Sequence, residues 1–293
     1  MCRQLIAALA LLALALLPGE ALAAKKKPEA WELPMAFTHV RASGACEPTC
    51  PEWIVADGKI TPGTSKRFKA FLKSIGDAHL PVILQSAGGD VNSALALGRI
   101  IRDRKMDVAV GYTVFIGCAP RQDCKPPKAQ NGIYRGMVRT RNAYCNSACP
   151  LVLAGGIRRI ASADVSIGVH QVTTTWQNIR VTYRETYQIV DGKKKIISRK
   201  EIGRKKLKPK VTQGMYADLK KKLLDYYSEM GVDPGLIDEA EKTPPSKLGV
   251  LSEHDLKGFR MVTGMDGALS LAAPDICNGR GQASNCITSS PKT

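Results

Sequence analysis

Residues 81–102, PVILQSAGGDVNSALALGRIIR, join a short apolar segment, a glycine turn and an amphipathic segment. Residues 81–85 predict a buried strand, because they are mostly apolar and run into turn-forming residues. The turn contains Gly88 and Gly89, which let another chain segment approach the backbone closely. After the turn, apolar residues recur at the spacing of one helical face. This order of strand, turn and helix predicts one layer of a β-α-β fold.

The same order repeats on both sides of this stretch. Residues 53–60 predict a strand pair around Asp57-Gly58, Ser65 caps a helix, and residues 107–110 predict the next strand. Two β-α-β crossovers in succession predict an α/β fold class with repeated β-α-β layers. A mature chain of about 270 residues is long enough for one large domain with a full core.

The first 23 residues have the three parts of a secretory signal peptide. Arg3 provides a short basic region, residues 5–17 form an unbroken apolar run, and Ala21-Leu22-Ala23 fits the A-x-A cleavage pattern. The apolar run is too short to span a membrane as a helix. We therefore expect a mature chain that begins near Ala24 and acts in the periplasm or outside the cell.

Eight cysteines remain once Cys2 is removed with the signal peptide, and they fall in four close pairs. An even set in an oxidising compartment predicts disulfide bonds, but the sequence leaves their connectivity open. The chain has no C-x-x-C motif with matching histidines, so we expect no metal. Local pairing is least expected within residues 145–149, because a bridge four residues apart would strain a helical turn. The candidate pairs are Cys46 with Cys50, Cys118 with Cys124, Cys145 with Cys149, and Cys277 with Cys286.

The segment 178–210, here called the basic arm, carries twelve Lys or Arg and three Asp or Glu, which is +9 of the net charge of +17. Apolar and polar residues alternate over 177–197 around Asp191-Gly192, a pattern typical of a β-hairpin. We predict an exposed basic β-hairpin insertion with Asp191-Gly192 at its tip. The arm is either a solvent-exposed hairpin without a partner, or it contacts something anionic. That contact would be an anionic envelope component or an acidic partner. Export from the cytoplasm disfavours nucleic acid as a partner of the arm.

Three short motifs follow one another in the order that a serine hydrolase needs. The Gly88-Gly89 turn comes first, Ser147 lies in the small-residue run YCNSAC, and His170 follows an apolar strand. A hydroxyl beside an imidazole can act as nucleophile with a general base. The backbone N–H groups of Gly89 and Ala148 are suited to stabilise an oxyanion. A lone histidine is usually structural, but its order after Ser147 favours catalysis.

This arrangement resembles the proteolytic subunit of Clp protease and the wider Clp protease/crotonase fold. The family's Ser-Pro-Gly-Gly loop corresponds to residues 86–89, with Ala87 in place of the proline. Its nucleophile turn corresponds to residues 146–148, and its Met-Ile-His-Gln segment to residues 168–171. The Cys-x-Ser-Ala-Cys form, with a signal peptide, is similar to exported Clp-protease-like proteins of bacterial periplasms. The resemblance implies Ser147 as nucleophile and His170 as base.

The resemblance covers residues 53–110 and 142–171 and, more loosely, 214–262. We therefore expect a Clp protease/crotonase-like domain over residues 53–262, with insertions at 112–141 and 173–212. Residues 24–52 are predicted to be an irregular lead-in. Residues 263–293 are predicted to be a tail with a cysteine pair.

The family's third catalytic residue is an aspartate that follows a helical segment after the histidine. The matching residues 242–247 contain no carboxylate, and Thr243 and Ser246 are the candidates there. The site is therefore a Ser–His dyad, a triad oriented by a hydroxyl, or a decayed enzyme, because a missing orienting group costs several decades in rate. A Ser–Lys arrangement through one of residues 220–222 ranks lower, since His170 is in place.

Three functions compete at this point. The first is an exported serine peptidase-like hydrolase that acts on a peptide or protein without a cofactor. The second is a non-catalytic Clp-like module that binds a peptide or an envelope component. The third is a crotonase-type acyl-thioester enzyme, which is disfavoured because an exported protein meets little coenzyme A. The resemblance also implies that copies of the chain could assemble as a homo-oligomer.

Overall fold

The computed structural model describes residues 29–76, 78–124, 132–278 and 283–289. The predicted signal peptide lies outside the described residues. Within the described ranges, no helix is long and apolar enough to cross a membrane.

The described residues form strands and helices in alternation. The strands are β1 (Ala36–Ala42), β2 (Thr49–Asp57), β3 (Val82–Gln85), β4 (Val108–Val110), β5 (Tyr112–Phe115), β6 (Tyr134–Arg139), β7 (Tyr144–Asn146), β8 (Arg159–Ile160), β9 (Ser166–Val169), β10 (Thr173–Trp176), β11 (Ile179–Val190), β12 (Lys193–Lys206), β13 (Lys210–Gln213), β14 (Gly249–Val250) and β15 (Cys286–Thr288). The helices are α1 (Thr64–Ile75), α2 (Val91–Asp103), α3 (Cys149–Ala154), α4 (Ala217–Met230), α5 (Leu236–Glu241), α6 (Glu253–Gly258) and α7 (Leu269–Ala272).

The main sheet has the order β5-β6-β1-β2-β3-β4-β8, and β15 pairs with β2. Strands β2, β3, β4 and β8 are parallel neighbours, with α1 between β2 and β3 and α2 between β3 and β4. Helix α1 buries Phe68 and Leu72 in the core, and α2 buries Leu97 and Ile101. The predicted α/β class with repeated β-α-β layers is confirmed.

A smaller sheet of order β14-β9-β7 stands beside the main one and is linked to it through a bridge between Ser86 and Cys145. Strands β7 and β9 run parallel, with Asn146 opposite Gly168. Because parallel strands end at the same edge, this pairing brings the residues that follow β7 and β9 close together.

The predicted basic β-hairpin is also confirmed. Strands β11 and β12 pair antiparallel along their whole length, and the second strand continues to Lys206, beyond the predicted alternation. Asp191 and Gly192 form the tip with φ of 51° and 71°, the positive values that a two-residue hairpin turn requires.

Four predicted local structures differ from what the chain forms. The lead-in is not irregular, because residues 36–42 form β1 and pair with β2. The expected strand pair around Asp57-Gly58 is instead the end of the single strand β2. Helix α1 begins at Thr64, one residue before the predicted cap Ser65. Residues 112–141, predicted as an insertion, contribute β5 and β6 to the edge of the main sheet. The limits of the domain remain predictions.

All four local cysteine pairs are disulfide-bonded, which settles the connectivity that the sequence left open. Cys46 is bonded to Cys50, Cys118 to Cys124, Cys145 to Cys149, and Cys277 to Cys286. Disulfides of this number are typical of a protein from an oxidising compartment.

The reservation about the bridge between Cys145 and Cys149 was wrong, because the two residues do not share a helical turn. Cys145 lies in β7 and Cys149 begins α3. Their Cα atoms are 5.1 Å apart across the intervening turn, a separation that suits a disulfide.

A buried ion-pair network joins β1 to β2. Glu52 Oε1 accepts a hydrogen bond from Arg41 at 2.8 Å, and Glu52 Oε2 lies 2.6 Å from His39 Nε2. Burial alone would raise the pKa of Glu52, but the hydrogen bonds from His39 and Arg41 hold it below its ordinary value. Charged groups in the interior therefore link the two strands.

We expect Glu52→Gln to destabilise the protein by about 2–3 kcal/mol at pH 7, because it removes the buried carboxylate shared by Arg41 and His39 and leaves Arg41 only the half-exposed Glu47 as a charged partner. The measurement is urea unfolding with the disulfides intact. A lowered carboxylate pKa stabilises the fold above the ordinary value of 4.5, and this contribution is lost as the pH falls below it. The difference in the free energy of unfolding between wild type and variant should therefore become smaller in acid.

The matched control is Glu229→Gln, which removes the exposed ion pair with Arg99 and should cost less than about 1 kcal/mol. Equal effects of the two substitutions would show that the Glu52 network contributes no more than a surface pair.

Candidate active site

Ser147 lies at the apex of a sharp turn between a strand and a helix. Strand β7 ends at Asn146, Ser147 follows with φ of 60°, and α3 begins at Cys149. The Ser147 N–H donates a hydrogen bond to Gly168 O at 2.8 Å, and the Cys145–Cys149 disulfide spans the turn. A left-handed serine between strand and helix is strained, and turns of this kind present a nucleophile above a sheet.

The glycine turn packs directly against Ser147. A Cβ on Gly88, where φ is 94°, would stand 2.6 Å from Ser147 Cβ and 2.8 Å from Ala148 N. A Cβ on Gly89, where φ is 137°, would overlap the backbone oxygen of Ile60. Only glycine is compatible with both the backbone conformation and the space at these two positions.

Ser86 holds the glycine turn in place. Its buried hydroxyl donates to Gly58 O at 2.6 Å and accepts a hydrogen bond from the Gly88 N–H at 3.0 Å. The Gly88 N–H is therefore occupied. In contrast, the N–H groups of Gly89 and Ala148 have no acceptor among the described residues, and both residues line the same cleft as Ser147. Two free N–H groups beside a serine hydroxyl can hold an oxyanion.

His170 follows β9 directly and lines the same cleft as Ser147. The pairing of β7 with β9 explains this placement, because Ser147 and His170 come just after the paired residues Asn146 and Gly168. The structure therefore brings the two predicted catalytic residues to one cleft. No hydrogen bond joins their side chains in this conformation.

Three buried side-chain atoms have no hydrogen-bond partner within the described part of the chain, and all three belong to this neighbourhood. They are Asn146 Oδ1, His170 Nδ1 and Glu241 Oε1. Buried polar atoms normally find partners, and exceptions call for an explanation such as a catalytic role. Asn146 directly precedes Ser147, His170 lines the cleft, and the backbone oxygen of Glu241 accepts a hydrogen bond from Gln171, the residue after His170. The cleft that holds Ser147 and His170 is therefore the candidate functional site.

Glu241 was missed by the sequence analysis. It is the last residue of α5, one position before residues 242–247, which correspond to the family's aspartate position. The segment that follows α5 is tied to the residue after His170: the Gln171 N–H donates to Thr243 O at 2.9 Å, and Gln171 Nε2 donates to Glu241 O at 2.7 Å. A usable signal was present, because Glu241 stands four residues after the buried Ile237 on the same helical face.

The other candidates for the third residue lie less favourably. Ser246 is exposed. Thr243 is half-buried, and its hydroxyl packs against Gly249 rather than accepting a hydrogen bond from His170. The lysines at 220–222 are exposed, and the first two form surface ion pairs with aspartates.

The cleft is open to solvent and is walled mainly by apolar side chains. The polar groups of Ser147 and His170 lie in this apolar wall, a combination common in ligand sites. Within the described ranges, no group of three or more His, Cys, Asp or Glu is arranged to hold a metal ion. The apolar residues of the wall include Leu151 from α3, Leu223 and Tyr227 from α4, and Leu236 and Ile237 from α5.

No family model and no curated protein matches this chain. Among solved structures, it is similar to a variant of the 1510-N membrane-bound stomatin-specific protease in complex with a substrate peptide, with 12% identity, 73% of each chain covered and a TM-score of 0.39. It is also similar to a ClpP1 variant from Listeria monocytogenes, with 13% identity, 73% of this chain and 90% of that chain covered, and a TM-score of 0.36. A third similar structure is the ClpP protease catalytic domain from Plasmodium falciparum, with 13% identity, 71% of this chain and 80% of that chain covered, and a TM-score of 0.36.

Proposed function

We propose that the protein is an exported serine peptidase-like hydrolase, with Ser147 as nucleophile and His170 as general base. The observation that carries the proposal is the presence, in one cleft, of Ser147, His170 and two N–H groups, of Gly89 and Ala148, that have no acceptor among the described residues. The buried Nδ1 atom of His170 also has no partner there. A purely structural turn would satisfy these groups internally.

The proposed reaction runs through an acyl-enzyme. Ser147 Oγ attacks the carbonyl carbon of the scissile bond while His170 takes the hydroxyl proton. The N–H groups of Gly89 and Ala148 stabilise the negative charge that develops on the carbonyl oxygen. His170 then gives its proton to the leaving amine as the C–N bond breaks. A water molecule, deprotonated by His170, then attacks the ester carbonyl. The bond between the acyl carbon and Ser147 Oγ breaks, and His170 returns the proton to Oγ as the acid product leaves.

We propose Glu241 as the positioning residue for His170. Both side chains carry a buried atom without a partner, and hydrogen bonds from Gln171 hold the end of α5 next to the histidine. A carboxylate that accepts from the second ring nitrogen fixes the tautomer and orientation of the imidazole and stabilises its charged form. We propose that the two side chains form this hydrogen bond when substrate binds, since catalytic hydrogen bonds often tighten only in the complex.

The apolar wall of the cleft indicates the class of substrate. An extended peptide that places its scissile carbonyl between Ser147 and Gly89 would direct one side chain toward Leu151, Leu223 and Tyr227. Burial of an apolar side chain there is favourable by about 1.5–3 kcal/mol. We therefore propose cleavage next to apolar residues.

We propose that the mature protein acts in the periplasm or is secreted, after removal of residues 1–23. The four disulfides support this, because they persist in oxidising compartments. The basic arm is proposed to contact an anionic component of the envelope.

The alternative function is a non-catalytic Clp-like module that binds peptide in the same cleft. The observation that favours it is the absence of a hydrogen bond between Ser147 and His170, which a preorganised nucleophile and base would share. The two functions differ in the reactivity of one hydroxyl.

A fluorophosphonate probe separates them. We expect the mature protein to be labelled at Ser147, because an activated serine attacks phosphorus as it would a carbonyl carbon. Labelling should disappear in His170→Ala and persist in His254→Ala, which changes an exposed histidine outside the cleft. Mass spectrometry of the labelled peptide identifies the site. Absence of label on a folded protein would support the binding module.

A further inference from the structure

The two faces of the basic arm carry different chemistry. Cross-strand partners and residues two apart share a face of a β-ribbon. The face that contains Arg184, here called the lysine face, therefore holds six cations and no acidic residue. All six are exposed, and none forms an ion pair within the described part of the chain. These cations are Arg180, Arg184, Lys193, Lys195, Lys200 and Lys205.

The opposite face is partly neutralised by ion pairs within the ribbon. Both glutamates of the ribbon lie there, and Glu185 pairs with Lys194 at 3.2 Å and with Arg199 at 3.3 Å. The second glutamate pairs with Arg204 at 2.9 Å. Cations of this face also stack on tyrosines, with the Arg199 guanidinium lying 3.9 Å from the ring centre of Tyr183. Among the described residues, folding of the ribbon therefore pairs three of the four cations on this face, all but Lys206, and none of the six on the lysine face.

Two bulges keep the lysines together. Lys195, Lys200 and Lys205 recur every five residues, in the repeats KIISR and KEIGR. In a regular strand an odd spacing would place successive lysines on opposite faces. The register instead shifts by one residue at Ile197 and at Ile202, once in each repeat. Each bulge absorbs one residue, so all three lysines emerge on the same face.

The cations on the lysine face lower the stability of the isolated ribbon. Arg180 stands directly across from Lys205, and Arg184 directly across from Lys200. Like charges in opposite positions destabilise a strand pair. The two cationic rungs are four residues apart along β11, roughly 13 Å at about 3.3 Å per residue. A regular array of unpaired cations along one face is complementary to an extended array of anions.

We propose that the lysine face docks on an anionic lipid bilayer through the phosphate groups of its lipids. Exposed apolar side chains on the arm favour a bilayer over a soluble polyanion: Val190 on the lysine face is 46% exposed, and Ile197 and Ile202 at the two bulges are 58% and 51% exposed. Segments that combine cations with exposed apolar residues bind at the boundary between lipid headgroups and acyl chains. A soluble polyanion offers no apolar phase for these side chains. The proposal specifies the anionic contact suggested above and is independent of catalysis at Ser147.

The test uses the mature protein and sedimentation with vesicles of phosphatidylcholine, with and without phosphatidylglycerol. The lysine-face variant is Arg184→Gln with Lys200→Gln. The matched control is Lys194→Gln with Arg199→Gln, which removes the same net charge from the opposite face. We expect wild type to bind only the vesicles with phosphatidylglycerol and to be released by salt. The lysine-face variant should bind roughly 30-fold more weakly, and the control less than about threefold more weakly.

A second pair, Arg180→Gln with Lys205→Gln, provides an independent lysine-face variant should the first one disturb the ribbon. Thermal unfolding checks that each variant keeps the wild-type core. Equal losses in the lysine-face and control variants would overturn the proposal, because net charge alone would then explain binding. Binding to soluble polyphosphate or polyglutamate without binding to vesicles would also overturn it.

Discussion

Ser147→Ala and His170→Ala should each lower peptide hydrolysis by about ten-thousand-fold or more, and the double variant should be no slower than either. The two side chains line one cleft, and in the proposed reaction they take part in the same proton transfer, so loss of one would remove the function of the other. The measurement is kcat and KM on a fluorogenic peptide with an apolar residue before the scissile bond.

The control for this prediction is Ser246→Ala, which changes an exposed hydroxyl and should retain full activity. Additive losses in the double variant would contradict a Ser147–His170 unit. Unchanged activity in Ser147→Ala would assign hydrolysis to a contaminant or to another nucleophile. Thermal unfolding should confirm that all variants remain folded; Ser147→Ala keeps a side chain of similar size.

The parts of the fold with local signals could be predicted from the sequence. The stretch at 81–102 carries its strand, its glycine turn and its helix in consecutive residues, and the structure forms all three. The hairpin tip at Asp191-Gly192 is similar, because two residues with positive φ determine the turn. In both cases the information lies within a few neighbouring positions.

The parts of the fold that depend on partners distant in the chain could not be predicted from the sequence. Strand β1 contains His39 and Arg41, whose polar side chains are typical of a protein surface. Their hydrogen bonds to Glu52 of β2 allow them to lie inside the fold. The bulges at Ile197 and Ile202 become visible only from the register against β11. A pattern of polarity along one segment does not reveal which polar groups another segment will satisfy.

The candidate site also has residues that could be predicted from local motifs and one residue that could not. Ser147, His170 and Gly89 belong to short motifs whose order indicated a common cleft, and all three line it. Glu241 belongs to no motif. The burial of its carboxylate oxygen results from the packing of α5 against the segment after His170, which the sequence does not encode locally.

Glu241→Gln should lower kcat by about a hundredfold to ten-thousand-fold while KM changes by less than about threefold. The amide keeps the shape of the side chain but cannot stabilise the charged imidazole of His170, so the loss falls on the chemical step rather than on binding. Glu241→Asp keeps the charge and should recover part of the rate. The control on the same helix is Asp238→Asn, whose carboxylate is 75% exposed and pairs with Lys220 at the surface. A parallel loss in melting temperature and kcat, without recovery in Glu241→Asp, would assign Glu241 a structural role and leave the site a Ser–His dyad.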